Sequence, residues 1–510
     1  MNVAAVTRVP LWPSAPDWPT MRSPLTRQPR LTLMIDALFD VLARVDALLW
    51  GPWTMAFLAG VAVYFSVRSG FFQVTGLRFI LSGTVGRLAV GRETVGGQRM
   101  SPFQAAATSL AGTVGMGNMA GVATALSVGG AGAIFWMWVL AFFGMMSKTV
   151  EITLGVYYRE RGPDGQYRGG PQATIRRGLG WTPLAMLFSV GMLINAVFAA
   201  SMLQSHTVGR ALLASYGMNP YLVTGAMAVI TALVVLGGVR RIGRVSEALV
   251  PFMSVAYILG ALVVIVSNAA ELPGVFQAIL THAFSPVAGA GGVAGVAVSE
   301  AIKQGMARGM LSNEAGMGTA PMVHATAESE HPFQQGVWGA FEVFFDTIVI
   351  CSLTALAILS TGAMSSGASG IELLLVAFTE VFDPSLASLI VSGAIATFCL
   401  SSQIGFFVYF ETSFVALVGD APFRYLRWIY FLPGVVMAGV ADVDRMWLVA
   451  NIAVAVTAIP NLIATLSLGG VFARLMRDEV SGERAFTTAV IEQTGPTMRG
   501  FGATSRSTMP

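Results

Sequence analysis

Residues 112–121 read Gly-Thr-Val-Gly-Met-Gly-Asn-Met-Ala-Gly, in the middle of an apolar stretch long enough to cross a bilayer. A spanning helix has no use for glycines at 112, 115, 117 and 121, since each costs about 0.5–1 kcal/mol relative to alanine in a helix interior. Breaking the helix there would bare amides and carbonyls at membrane depth. Such groups are tolerated only where they line a cavity or hold a ligand. That is how a transporter builds a site for a small ion or zwitterion. Close helix packing through small residues explains the same glycines equally well. The residues alone leave both readings open.

Of the 510 residues, 55% are hydrophobic and only 11% are charged. Soluble domains carry about 25% charged residues, so the composition predicts an all-α polytopic membrane protein. Cys351 and Cys399 both lie in apolar segments and read as buried thiols. Four histidines without a Cys/His cluster give no support to a structural zinc site. Residues 1–30, rich in Pro, Arg, Ser and Thr, read as a disordered tail without a signal-peptide core. Residues 31–50 place Asp36, Asp40, Arg44 and Asp46 at helical spacing among apolar residues, which predicts an amphipathic interfacial helix. A membrane domain follows over 51–475, and 476–510 reads as a second, cytoplasmic, disordered tail.

At roughly 20 residues per crossing, apolar spans fall near 53–72, 102–127, 132–157, 183–213, 220–237, 245–268, 275–303, 337–361, 385–418, 427–441 and 446–470. That makes about eleven transmembrane helices. Arginines set their orientation. Arg78, Arg87, Arg92 and Arg99 follow the first span, Arg159, Arg161 and Arg168 the third, and Arg240, Arg241 and Arg244 the fifth. Lys303 and Arg308 close the seventh, Arg424 and Arg427 separate the ninth and tenth, and Arg474 and Arg477 follow the last. Eleven crossings put all these loops on one side, the cytoplasmic side, with the C-terminus. The N-terminus then lies outside, despite Arg8, Arg22, Arg27 and Arg30. The expected location is the cell (plasma or inner) membrane.

Further motifs extend the opening one. They are Gly129-Gly130-Ala131-Gly132-Ala133-Ile134-Phe135-Trp136, Gly169-Gly170-Pro171, Gly305-Met306-Ala307-Arg308-Gly309, Ser312-Asn313-Glu314-Ala315-Gly316-Met317-Gly318, Gln335-Gly336, Asp346-Thr347 and Ile459-Pro460-Asn461-Leu462. In that order they resemble the alanine or glycine:cation (sodium:alanine) symporter family over about residues 50–475. The resemblance implies a 5+5 inverted-repeat amino-acid transporter fold, preceded by one extra N-terminal span at 53–72. Core helix one would be 102–127, core helix six the glycine-rich segment near 275–303, and core helix eight 385–418.

Within that frame a zwitterion needs both its charges paired at the bilayer centre. A broken core helix one offers amides near Gly115, Met116 and Gly117 for a carboxylate. Its carbonyls near Ala111 and Val114 suit a hard cation such as Na⁺, the expected coupling ion. Gly112 and Thr113 complete that wall. By resemblance, Ser401, Ser402 and the carbonyl of Phe398 supply the remaining Na⁺ ligands, although serines in helices also bond back to their own turn. Gln204 matches a glutamine that reaches the substrate. Three positions depart from the family pattern: Met116 replaces a threonine, Val293 an aromatic, and Phe406 a tryptophan.

The reading that results is a secondary active symporter moving a small neutral amino acid, alanine- or glycine-like, into the cell with Na⁺. The partners it implies are that amino acid, Na⁺ and the lipid bilayer, with no organic cofactor and no nucleic acid. A larger amino acid or H⁺ coupling remains an alternative, because Met116 and Val293 reshape the pocket. Neither HExxH nor GxSxG occurs to support an intramembrane enzyme, and two discontinuous helices argue against a channel. Elsewhere, Lys148 and Glu151 at i and i+3 are expected to pair, and Glu314 to cap or pair near Arg308.

Overall fold

A computed structural model describes residues 29–86, 100–163, 165–284, 298–436 and 443–496. These are helical almost throughout, with a short hairpin of β1 (Glu160–Arg161) and β2 (Tyr167–Arg168). Helix α1 (Pro29–Leu49) meets α2 (Pro52–Arg68) at a 40° bend, and proline at the first turn of α2 fixes the restart. Asp36 of α1 pairs with Arg445 at 2.7 Å, so this amphipathic helix docks on the last long helix of the membrane domain.

The glycine-rich segment is two helices. A reciprocal capping box of Ser101 and Gln104, with Pro102 behind the cap, starts α3 (Pro102–Thr113). At Val114 the chain turns extended, with φ −75° and ψ 98°. A wide turn over Gly117–Gly121 then leads into α4 (Val122–Gly129). After it come α5 (Gly132–Tyr157), α6 (Thr182–Tyr216), α7 (Pro220–Val235) and α8 (Gly238–Ser267). Next are α9 (Leu272–Phe284), α10 (Val298–Asn313), α11 (Pro332–Ser360), α12 (Pro384–Val418) and α13 (Val443–Ser467).

Among the described residues six helices are long and apolar enough to span a bilayer, or seven if α1 and α2 form one bent span. The other expected crossings are short or interrupted. Core helix one is broken between α3 and α4, and the described part of the expected 427–441 span, up to Val436, consists of short helical pieces. Core helix six corresponds to α9 and α10, which flank residues 285–297; Val293 lies outside the described residues.

Packing reveals the repeat. Helix α5 lies along α11, α6 along α13 and α8 along α12. Numbered as ten core helices in chain order, these are pairs 2–7, 3–10 and 5–8. A shift by five maps the first onto itself and exchanges the other two, the signature of two five-helix repeats. Helix α3 lies between α8 and α12, which sets its break opposite α12.

Past residue 476 the structure differs from the expected disordered tail. Helix α14 (Gly469–Ser481) buries Val471, Phe472 and Leu475, and a last short helix, α15, spans Thr488–Thr494. Asp478 and Glu479 are buried as well, accepting hydrogen bonds from the amides of Ala485 and Phe486 and from Gln334. Polar residues that look like solvated tail are here the fasteners of a docked segment. Residues 1–28 and 497–510 lie outside the described residues.

Candidate functional site

Where α3 breaks, its carbonyls meet the hydroxyls of α12. Ser401 Oγ lies 2.8 Å from the carbonyl of Phe398 in its own helix and 3.4 Å from that of Ala111 across the gap. Ser402 Oγ lies 3.3 Å from the carbonyl of Val114. The back-bond expected of a helical serine is therefore present at Ser401, together with the contact to α3. A Cβ at position 115 would fall 2.4 Å from Ser402 Oγ, so a side chain there must displace that hydroxyl. Gly112 serves packing instead, because a Cβ would strike the Tyr409 hydroxyl at 2.7 Å. Gly112 is thus a packing glycine, while Gly115 lies at the break itself. Three carbonyls and two hydroxyls, with no nitrogen or sulfur among them, form a donor set suited to a hard cation.

The amide side of the break is more occupied than the sequence suggests. Gly115 donates its N–H to Asn118 Oδ1 at 2.9 Å, and Met116 donates its own to Gln204 Oε1 at 3.4 Å. Unwound backbone in an apolar setting has to find partners, and two side chains supply them. Gln204, expected by resemblance to reach the substrate, here meets the backbone of the break. Thr113 does not turn its hydroxyl outward; Oγ1 faces the carbonyls of Ser109 and Leu110 at 3.4 Å. Thr207, one turn beyond Gln204 on α6, donates to the Leu203 carbonyl at 2.8 Å and lies 3.4 Å from the Met116 sulfur. Phe406 stacks edge-on with Tyr409 at 5.0 Å and packs in the apolar cluster around Phe407, apart from the cluster that holds Met116. Gly117 lies 3.4 Å, measured from an ideal Cβ, from the backbone of Ser312 on α10.

Beside the break lies a buried polar chain that the sequence reading passed over. Asn118 Nδ2 donates to Asp346 Oδ1 at 2.6 Å, while Ser312 and Thr347 donate to Oδ2 at 2.7 and 3.0 Å. Asn313 reaches Thr347, and the Asn313 carbonyl accepts from Lys148 Nζ at 2.9 Å. Lys148 pairs with Glu342 at 3.1 Å, not with Glu151. Their i,i+3 spacing suggested a local pair, but Glu151 instead accepts from the amides of Gly316 and Gly318. Glu342 also binds His324 and Ser109. Arg308 stacks over Trp447, while Glu314 closes α10 at φ 56°. The signal available for Asp346 was its charge within an apolar span, where acids are functional by default.

The family model described as the sodium:alanine symporter family matches residues 35–491. The sodium/alanine symporter AgcS of Methanococcus maripaludis is 36% identical over 438 residues, covering 84% of this chain and 94% of that one. The probable sodium/glutamine symporter GlnT of Bacillus subtilis is 35% identical over 453 residues, covering 89% and 93%. Among solved structures, MhsT in complex with L-phenylalanine aligns with a TM-score of 0.53 at 14% identity, covering 75% of this chain and 92% of that one. That likeness concerns the fold alone. With its motifs in order and the match running nearly end to end, this chain belongs to the sodium:alanine symporter family.

Proposed function

We propose that the protein couples the entry of Na⁺ to uptake of a small neutral amino acid, with the arginine-rich loops and the C-terminus in the cytoplasm. The observation that carries this reading is the meeting of the Ala111, Val114 and Phe398 carbonyls with the Ser401 and Ser402 hydroxyls across the broken helix. The AgcS relative's name points the same way. In this reading the five oxygens replace the water shell of Na⁺, and Gln204 and the backbone near Gly117 hold the amino acid next to it. One charge falling through 100 mV releases about 2.3 kcal/mol. That sustains about a fortyfold gradient of amino acid per ion, at about 1.4 kcal/mol per factor of ten. Alternating access is rocking of one set of core helices against the other around the fixed site.

Met116 favours a second reading on substrate. Its thioether, in contact with Thr207, places an apolar group next to Gln204. Such a wall suits a side chain larger than that of alanine, and a relative named for glutamine is similarly close.

One experiment separates the two roles. In proteoliposomes, Ser401→Ala combined with Ser402→Ala should raise the Na⁺ concentration for half-maximal uptake about tenfold or more, the scale of a lost charge-assisted contact. Met116→Thr should change the ranking of amino acids that compete with labelled alanine, at unchanged Na⁺ dependence. Identical effects from both changes would contradict separate ion and substrate roles. Alanine and glycine outcompeting every larger amino acid in the unaltered protein would remove the larger-substrate reading.

A further inference from the structure

Asp346 is fully buried in α11, and its hydrogen-bond partners Asn118, Ser312 and Thr347 are all neutral donors. A carboxylate can only accept, so it dictates which way each partner turns. The Asn118 amide accordingly has one arrangement that satisfies both its ends. Its Nδ2 faces Asp346 Oδ1 at 2.6 Å, and its Oδ1 is left facing the Gly115 N–H at 2.9 Å.

The Gly115 N–H and the Val114 carbonyl belong to the same peptide unit. A trans peptide is planar, and its N–H and C=O point in opposite directions. Holding the N–H toward Asn118 therefore aims the Val114 oxygen the other way, toward α12, where Ser402 Oγ lies 3.3 Å from it. Linked hydrogen bonds also polarise one another in a low-dielectric interior. A negative Asp346 at the far end of this chain increases the negative charge on the Val114 oxygen. Through Ser312 the same carboxylate also fastens α10 to this chain.

We propose that Asp346 is a positioning residue for cation binding, acting through Asn118 to fix the 114–115 peptide so that the Val114 carbonyl faces the hydroxyls of α12. Asp346 does not touch the ion. The inference rests on reading the five oxygens as a Na⁺ site, and it adds a remote group that sets the affinity of that site.

The test uses the full-length purified protein. Two readouts are taken against choline at constant ionic strength: the Na⁺-induced rise in melting temperature, and the Na⁺ activation of amino-acid uptake in proteoliposomes. Asp346→Ala and Asn118→Ala should each raise the half-saturating Na⁺ concentration about tenfold, with a smaller change in maximal rate. The double variant should be no worse than either single one, because both cut the same chain. Asp346→Asn can still accept from Asn118, so it should stay within about threefold of the unaltered protein. Asn118→Ala leaves Asp346 with Ser312 and Thr347, and it keeps the test valid if Asp346→Ala does not fold. Unchanged half-saturating Na⁺ in Asn118→Ala, with only stability or maximal rate lowered, would overturn the positioning role while leaving the Na⁺ site standing. If the unaltered protein responds to Na⁺ in neither readout, the Na⁺ site itself fails, and the positioning role with it.

Discussion

At position 115 a side-chain carbon would lie 2.4 Å from Ser402 Oγ and 3.1 Å from Gln204 Nε2. Those two groups come from opposite walls, α12 and α6, so an added methyl must displace Ser402 from the Val114 carbonyl and crowd Gln204 at the Met116 amide. Gly115→Ala should therefore abolish uptake while the protein still extracts and melts as a folded species; uptake within twofold of the unaltered protein would show that the walls are not fixed by this contact. Individual residues were partly legible in the sequence. The glycine spacing pointed to 112–121, and the family resemblance singled out the Ser401-Ser402 pair. The division of labour between Gly112 and Gly115 was not legible, since it depends on which atom of a distant helix lies opposite each. Asn118 was hidden for a similar reason. Its role is to hold the Gly115 N–H while bound to Asp346, a residue 228 positions away.

Among elements, the closest partnership is that of α5 with α11, and its buried core is the Lys148–Glu342 pair with His324 and Ser109. All four are inaccessible to solvent. Breaking a buried pair from one side leaves an uncompensated charge and costs about 3–5 kcal/mol. Glu342→Ala should lower the melting temperature sharply, whereas Lys148→Met with Glu342→Leu, which removes both charges, should be milder; a single variant as stable as the double would contradict the pairing. Helix starts were readable where the cap is local, as in Ser101-Pro102-Phe103-Gln104. Partners across helices were not, which is why Lys148 was matched to its near neighbour Glu151.

The start of α11 carries a pH dependence. His331 Nδ1 accepts from the Phe333 amide and Nε2 faces Asp478, so the folded chain holds the imidazole neutral. Burial pushes its pKa below the ordinary value, against the pull of Glu479 and Asp478. An unfolded chain thus takes up the proton first as pH falls. This contribution to stability is full above the ordinary histidine value of about 6.5 and is lost below it. Between about pH 7.5 and 5.5 the melting temperature should fall less in His331→Asn, whose amide oxygen can still cap the helix, than in the unaltered protein. Equal falls would remove His331 as the source.

Over the whole molecule, the membrane class follows from composition, and the two five-helix repeats appear in the pairing of α6 with α13 and α8 with α12. What composition could not convey is which crossings are continuous. An interrupted helix keeps the apolar content of a span while losing its length, so α3 with α4 looks like a single helix in the sequence. The docked C-terminal segment was missed because its buried groups are charged, and charge reads as solvent exposure until its partners are known. Orientation and coupling belong to this scale too. The most direct test is uptake of labelled alanine into proteoliposomes at clamped pH and membrane potential, with external Na⁺ replaced by choline. The account predicts uptake that rises with Na⁺, increases with an inside-negative potential and falls to background in choline. Uptake that persists undiminished in choline would contradict it.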